Sequence, residues 1–194
     1  MPRTPAVRDS RRHQWEKNRV HHPRSERAGI GATEHDTGLD CSDLVFHADY
    51  HHMGATDELA DAFGVPVGTP LLKRAYRTRH ATESAPFSLV TSYLLRDLIA
   101  ANPALLDPAN EPWPGGTQHQ LHTVGIEVDR VEERVTARQP TPVETAALEL
   151  PCGAPVLALR KTSYDIRGRV VEVCRVTLPG DRTELLFTTC LERW

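Results

Sequence analysis

Strand-like segments dominate the pattern of hydrophobic and polar positions along the chain. Alternating or continuous apolar runs predict strands at residues 71–79, 87–95, 126–137, 156–164, 170–178 and 185–189, the last closing the sheet. Shorter segments at residues 96–101 and 117–124 predict helices that end at Asn102-Pro103 and Gly125. Because strands outnumber helices and follow one another as hairpins, the sequence predicts an α+β fold with an antiparallel β-sheet core and flanking helices.

Two segments of the chain share one pattern. Residues 56–72 and 141–157 carry Thr, Pro, Gly, Pro and Leu at matched positions without a gap. Each segment predicts a helix capped by a threonine (Thr56 or Thr141), a Pro-x-Gly-x-Pro turn and a strand. Glu144 completes a capping box with Thr141. We therefore expect the fold to be built on an internal two-fold repeat.

The charge is distributed unevenly along the chain. Residues 1–27 hold eight Lys or Arg against three acids, whereas the rest holds 15 against 23, which gives the net charge of −3. Residues 1–42 are therefore predicted to be a basic, linker-like and partly disordered arm, and residues 43–194 the folded domain. The arm is either a solvated tail or a contact to phosphates, and it has too few apolar residues for a complete winged helix.

Composition and motifs exclude several classes of protein. The chain is 39% hydrophobic, and its four cysteines form no Cys-x-x-Cys pair. With neither a leader peptide nor a long apolar run, the sequence predicts a cytoplasmic protein without membrane contact. Nucleophile-elbow, phosphate-loop and dinucleotide motifs are missing, so no cofactor is expected. The histidine pairs His47/His51 and His119/His122 lack a recognised metal-ligand pattern, so no metal site is predicted.

The paired arginines Arg77 and Arg79 are the first candidate ligand-binding residues. Side chains two apart on a strand point to the same face of the sheet. If that face is concave, the two guanidinium groups bind a carboxylate or a phosphate. If it is open, they are solvated edge residues.

Two further places suit a polar ligand. The helix that begins at Gly116 and Thr117 offers free backbone N–H groups and a hydroxyl to an anion, although such a sequence is more often only a loop. Glu172 lies in an apolar strand and is predicted to face inward or lie at a sheet edge. There it accepts hydrogen bonds from a ligand, or it pairs with Arg175 or a neighbouring strand.

Several motifs in this order resemble a known family. They are Gly64 to Leu71 with Arg77-Thr78-Arg79, Pro86 with Ser92-Tyr93-Leu94, Pro155-Val156-Leu157 with Arg160-Lys161-Thr162, and Tyr164-Asp165, Gly168, Glu172 and Gly180-Asp181-Arg182. Together they resemble the UTRA domain, the effector-binding module of HutC-type GntR transcription regulators, which shares its fold with chorismate lyase. The likeness covers residues 44–193, and residues 14–17 resemble the linker to an N-terminal winged helix.

The resemblance implies a chorismate lyase-like, six-stranded antiparallel sheet, a homodimer and a small, often anionic, metabolite as ligand. It implies that Arg77 and Arg79 are the paired anion-binding arginines. It also implies that Gly116 and Thr117 form the second anion contact and that Glu172 is the ligand-facing acid. No catalytic residue is implied.

Two residues depart from the family's pattern. Val90 stands where an acid is common, and Leu178-Pro179 stands where Tyr-Arg often precedes Gly-Asp-Arg. Both changes remove polar contacts, so we expect either an effector more apolar than a sugar phosphate or a pocket that has lost its ligand.

The expected function is a ligand-sensing module, not an enzyme. It binds an anionic metabolite and modulates the DNA binding of a regulator, with DNA contacted only through an absent or separate winged-helix domain. One alternative is a chorismate lyase-like enzyme acting on a small dicarboxylate, which Arg77, Arg79 and Glu172 would hold. Another is a purely structural dimerisation partner of a full-length regulator.

Overall fold

The computed structural model describes residues 6–28 and 30–192, which contain eight β-strands. The strands are β1 (Ala6–Asp9), β2 (Leu44–Gly54), β3 (Pro70–His80), β4 (Pro86–Leu95), β5 (Val128–Arg138), β6 (Val156–Asp165), β7 (Val170–Pro179) and β8 (Thr183–Leu186). Six of them form an antiparallel sheet in the order β2-β3-β4-β7-β6-β5. The predicted α+β class with an antiparallel sheet core is confirmed.

The described residues also form seven short α-helices. They are α1 (Arg12–Asn18), α2 (Arg24–Ala28), α3 (Ala32–Thr37), α4 (Asp57–Phe63), α5 (Arg96–Ile99), α6 (Gly116–His122) and α7 (Pro142–Ala147). Helices α5 and α6 correspond to the two segments predicted from the sequence. Strand β5 contains a register shift between Val128 and Arg130.

Hydrophobic side chains are buried on both faces of the six-stranded sheet. On one face, here called the α6 face, Leu72 and Leu94 pack in one cluster with Leu121 of α6. On the opposite face, here called the α4 face, Leu71 and Tyr93 pack with residues of α4. Alternate residues of β3 and β4 therefore contribute to different cores, as the period of two in a strand requires.

The two segments of matched sequence form the predicted local structures. Thr56 Oγ1 accepts a hydrogen bond from the backbone N–H of Leu59 and caps α4. Thr141 and Glu144 form a reciprocal capping box at α7. Gly68 and Gly153, with φ of 84° and 81°, then turn the chain toward β3 and β6. The capped helix, turn and strand are confirmed in both segments, whereas a two-fold relation between the halves of the fold stays a prediction.

The end of the chain differs from the prediction that residues 185–189 close the large sheet. Strand β8 instead pairs in parallel with β1 in a separate two-stranded sheet. Two backbone hydrogen bonds of 2.9 Å extend this pairing, from Ala6 N to Arg182 O and from Ser10 N to Leu186 O. Strand β8 therefore pairs with neither edge strand of the large sheet, β2 or β5. Its partner is β1, which belongs to the arm.

The arm is folded where the structure describes it. Residues 6–28 and 30–42 contain β1 and the helices α1, α2 and α3. Residues 1–5 and 29 of the arm lie outside the described residues, so the partly disordered character predicted for residues 1–42 and the boundary at residue 42 stay predictions. No helix among the described residues is long and apolar enough to cross a membrane.

Removal of the Thr141 hydroxyl tests the cap of α7. Thr141→Ala should lower the free energy of unfolding by about 1 kcal/mol, because the first turn of α7 loses its acceptor for the Glu144 N–H (3.2 Å). Urea denaturation measures the change. Thr189→Ala, in the exposed C-terminal segment, should change stability by less than about 0.5 kcal/mol. Equal effects of the two substitutions would contradict the assignment.

Candidate functional site

A cavity of about 560 Å³ lies between the arm and the α6 face of the sheet. Such a volume suits a small-molecule ligand. Its sheet wall includes Phe46, Tyr76, Thr78, Ser88, Val90, Val176 and Leu178. Its arm wall includes Arg8, Arg12, Gly31, Ala32, Thr33, Glu34 and Asp36, and Glu111, Gly116, Thr117 and Gln120 close one side. The cavity therefore has walls from both parts of the chain.

Arg77 and Arg79 do not line this cavity. Strand β3 directs Tyr76 and Thr78 toward it, so the period of two turns Arg77 the other way, and Arg77 is exposed. Arg79 donates from Nη1 to the carbonyl oxygens of Ala81 (3.3 Å) and Glu83 (2.9 Å) and so closes the turn between β3 and β4. The two guanidinium groups therefore do not converge on this cavity, and a ligand contact by Arg77 and Arg79 stays a prediction.

A buried carboxylate, Glu172, lies at the centre of the α6 face. Glu172 is 1% exposed, and Arg74 on β3 is 0% exposed. The Oε2 atom of Glu172 is 2.8 Å from Lys161 Nζ, and its Oε1 atom is 3.7 Å from Arg74 Nη2. Ser92 donates to Oε1 (2.7 Å) and Ser163 to Oε2 (3.1 Å). Glu172 thus faces inward, and its partners come from the neighbouring strands rather than from Arg175.

The charge of this carboxylate is fixed by its surroundings. Burial alone raises the pKa of Glu172, but Lys161 and Arg74 outweigh it and lower the pKa to about 2. Arg74 also donates to Gln120 Oε1 (2.6 Å), and Gln120 lines the cavity. Glu172 therefore acts on the cavity through Arg74 and not by direct contact.

Glu111 is a cavity residue that the sequence analysis missed. Its Oε1 accepts hydrogen bonds from Tyr50 (2.5 Å), Tyr76 (3.0 Å) and Gln120 Nε2 (2.8 Å). Burial and the neighbouring Glu111 raise the pKa of Tyr50 to about 12, although Arg74 opposes this. The phenols therefore stay protonated as donors. Glu111 lies in a proline-rich loop that carries no recognised motif, so its place in the cavity is seen only in the folded structure.

The predicted anion contact at the start of α6 is already used by the chain. Gly116 and Thr117 line the cavity, and the carboxylate of Glu16, from the arm, lies against them. Glu16 Oε1 accepts from the backbone N–H of Gln118 (2.9 Å), and a Cβ at Gly116 would lie 2.5 Å from the same oxygen. The anion at this helix start is therefore a carboxylate of the arm, and a ligand contact at Gly116 and Thr117 stays a prediction.

Arg8 connects the cavity to the far edge of the sheet. Its Nη2 is 2.5 Å from Glu133 Oε1, which also lies 3.2 Å from His13 Nε2. Burial by itself raises the pKa of Glu133, but His13 and Arg8 outweigh it and hold the pKa well below its ordinary value. The Nε of Arg8 is buried and has no hydrogen-bond partner among the described residues. Arg8 thus lines the cavity and has one buried donor that no described residue uses.

A second cavity arginine, Arg12, is paired within the arm. Its Nη1 is 2.5 Å from Asp36 Oδ2. Burial lowers the pKa of Arg12 to about 10, so it remains a cation at neutral pH. The Arg12–Asp36 pair joins α1 to α3 and gives the arm wall a neutral contribution.

His119, from the second histidine pair, makes contacts within the protein. Trp113 Nε1 donates to His119 Nδ1 (2.9 Å), and burial, Arg27 and His122 lower the pKa of His119 to about 4. Across the described ranges, 6–28 and 30–192, no group of three or more His, Cys, Asp or Glu is arranged to hold a metal ion.

Substitution of Glu172 tests the buried charge cluster. Glu172→Gln should destabilise the protein by about 3–5 kcal/mol, because Lys161 and Arg74 are left buried without a counter-charge. Glu184→Gln, at an exposed position, is the control and should change stability by less than about 0.5 kcal/mol. Urea denaturation measures both.

The same variant has a pH signature. A carboxylate with a pKa near 2 in the fold and an ordinary value of 4.5 stabilises the protein above pH 4.5. That contribution is lost as the pH falls toward 2, since the unfolded chain binds the proton more readily. Glu172→Gln should therefore lose stability less steeply than the unaltered protein across this range. Parallel curves would contradict the assigned charge.

Comparison with solved structures identifies the fold. A GntR-family transcriptional regulator superposes with a TM-score of 0.75 at 20% identity, covering 99% of this chain and 72% of that chain. PhnF from Mycobacterium smegmatis gives a TM-score of 0.67 at 20% identity, covering 98% and 74%. The C-terminal domain of the histidine utilization repressor from Pseudomonas syringae gives 0.62 at 18% identity, covering 76% and 99%.

Comparison of sequences supports the same relationship. An uncharacterised HTH-type transcriptional regulator of Rhizobium meliloti is 29% identical over 177 residues, which cover 89% of this chain and 68% of the relative. A second from Streptomyces coelicolor is 28% identical over 164 residues, which cover 76% of this chain and 60% of the relative. The model of the UTRA domain family matches residues 47–184. Since this match spans more than half of the sequence, the chain belongs to the UTRA domain family.

Proposed function

We propose that this chain is the effector-binding module of a GntR-type transcription regulator, and that its small-molecule effector binds between the arm and the sheet. The observation that carries the proposal is that one cavity has walls from both parts of the chain. Arg8 and Ala32 of the arm line it together with Tyr76 and Val90 of the sheet. A ligand in that cavity contacts both parts at once. Its binding free energy therefore depends on where the arm lies.

Such a ligand favours the docked arm. Contacts with both walls exist together only while the arm covers the sheet, so the ligand has a higher affinity for that arrangement. Binding then shifts the population toward the docked arm by mass action. In a regulator whose arm leads to a separate winged-helix domain, this shift changes the position from which DNA is contacted. The mechanism requires binding alone, and we propose no catalysis.

The arm is attached in a way that allows such a shift. Helices α1, α2 and α3 contain no buried residue among those that the structure describes. Besides the pairing of β1 with β8, polar contacts hold the arm: Arg8 with Glu133, Glu16 with the N–H of Gln118, and Lys17 Nζ with the carbonyl of Val128 (2.7 Å). Segments with few buried apolar contacts open at a lower free energy than the core.

The lining of the cavity supports roles for the candidate residues that differ from those suggested by the sequence. We propose that Arg8 takes the anion-binding role that the sequence suggested for Arg77 and Arg79, so that the effector carries an acidic group. Gly116 and Thr117 supply part of the wall. Glu172 is a positioning residue that fixes Arg74. The homodimer stays a prediction, and sedimentation velocity of the chain tests it.

Hydrogen–deuterium exchange with a panel of acids tests the coupling. Glucose 6-phosphate, citrate, phenylacetate and octanoate are screened by thermal shift, and exchange is then measured with each compound that binds. We expect a bound acid to slow amide exchange in α1 and α3. Ser88→Trp should abolish binding by filling the cavity, whereas Thr91→Trp, whose side chain lies on the opposite face of β4, should not. Binding that leaves exchange in the arm unchanged would contradict the proposal.

Single arginine substitutions test which guanidinium binds the acid. Arg8→Gln should weaken binding of the acid at least tenfold, as expected for the loss of a charge-assisted hydrogen bond. Arg77→Ala, at an exposed position outside the cavity, is the matched control and should leave the affinity unchanged. Isothermal titration calorimetry measures both. The reverse order of effects would restore the original assignment to Arg77.

A further inference from the structure

We propose that the effector is an amphipathic organic acid, with one acidic group held at Arg8 and an apolar body lying on Val90, Val176 and Leu178, rather than a sugar phosphate. This inference rests on the proposed function and concerns the same cavity. It follows from what each wall of the cavity offers to a ligand.

Part of the sheet wall, formed by Val90, Val176 and Leu178, is the surface of an apolar cluster, whereas the hydroxyls of Tyr76, Thr78 and Ser88 line the rest of it. Val90 on β4 is the cross-strand partner of Val176 on β7. Both belong to a cluster with Leu159 and Leu178, in which Val176 and Leu178 are buried. Val90, Val176 and Leu178 line the cavity together. A ligand hydroxyl placed on this surface would lose its water without gaining a partner, which favours a hydrocarbon body.

The acids that line the cavity are already supplied with partners. Oε1 of Glu111 accepts from two phenols and an amide, and its Oε2 accepts from the backbone N–H of Trp113 (2.7 Å). Asp36 is paired with Arg12. Glu34 Oε1 accepts from Cys41 Sγ at 3.4 Å. The acceptors of Glu111 and Asp36 are therefore used by the protein, and a polyol ligand would have to displace their donors.

The donor side of the cavity is less completely used. Arg8 lines the cavity, and its Nε has no partner among the described residues. Arg27, the third cavity arginine, donates to the carbonyl oxygens of His22 (2.8 Å) and Pro114 (2.6 Å). Arg8 is paired with Glu133 through Nη2 but has this unused donor at Nε, and Val90, Val176 and Leu178 offer apolar surface. The cavity is therefore complementary to a molecule with one acidic end and one apolar end.

A homologous series of acids tests the apolar body. Calorimetric titration of the chain with butanoate, hexanoate and octanoate should show affinity rising about fourfold for each added methylene group until the wall is covered. Octanamide, which has the same body without the charge, should bind at least tenfold more weakly than octanoate. Gluconate, an acid with a polar body, should bind more weakly than hexanoate.

Two matched substitutions locate the apolar contact. Val90→Thr keeps the shape of the side chain but adds a hydroxyl to the wall, and it should weaken octanoate about fivefold. Val170→Thr makes the same change at a partly buried position that packs on the α4 side of the sheet, and it should leave the affinity unchanged. Equal effects of the two variants would overturn the proposed contact.

The outcomes separate this inference from the proposed function. If glucose 6-phosphate or gluconate binds more tightly than octanoate, is blocked by Ser88→Trp and slows exchange in the arm, the effector is polar. The present inference then falls while the proposed function stands. If octanoate binds but Ser88→Trp does not weaken it, the ligand lies outside the cavity and the inference is overturned. Failure of every acid in the series to bind overturns it as well.

Discussion

The carboxylate of Glu172 organises the centre of this domain. It gathers Arg74 from β3, Ser92 from β4 and both Lys161 and Ser163 from β6 around one buried charge on β7. Removing such charges from water costs several kcal/mol, so the cluster contributes less to stability than to the choice of one arrangement. Each strand can satisfy its polar group only in a single register, and that register sets which residues face the cavity.

The buried cluster around Glu172 also fixes the polar side of the cavity, where Gln120 and Glu111 lie. Arg74, held by Glu172, donates to Gln120, and Gln120 in turn donates to Glu111. This chain of hydrogen bonds links the buried cluster to α6 and to the loop that closes the cavity. In contrast, the three helices of the arm hold no buried residue, and the arm is attached through the β1–β8 pairing, a few ion pairs and capping contacts. The sheet wall therefore buries much more apolar surface than the arm wall, which is the asymmetry that the proposed ligand-driven shift requires.

Local sequence patterns predict most of the elements of the fold. Strands β3, β4, β6 and β7 follow from apolar runs, and the caps at Thr56 and Thr141 follow from residue type and spacing. Strand β2 escapes such an analysis because an edge strand with His47, Asp49 and His51 shows little apolar enrichment. The prediction that residues 185–189 close the large sheet is wrong. Strand β8 pairs with β1 of the arm, and no local sequence pattern indicates a partner so distant in the chain.

The candidate site was harder to predict than the fold, for a specific reason. A shift of one residue in strand phase exchanges the two faces of a sheet, so the spacing of Arg77 and Arg79 cannot say which face holds the cavity. Val90 and Leu178, which stand out as departures from the pattern of the family, do line it. Arg8 and Glu16 lie in a segment that composition marks only as a basic tail. Their roles arise because the arm folds back over the sheet. There Arg8 pairs with Glu133, and Glu16 accepts a hydrogen bond from the backbone at the start of α6.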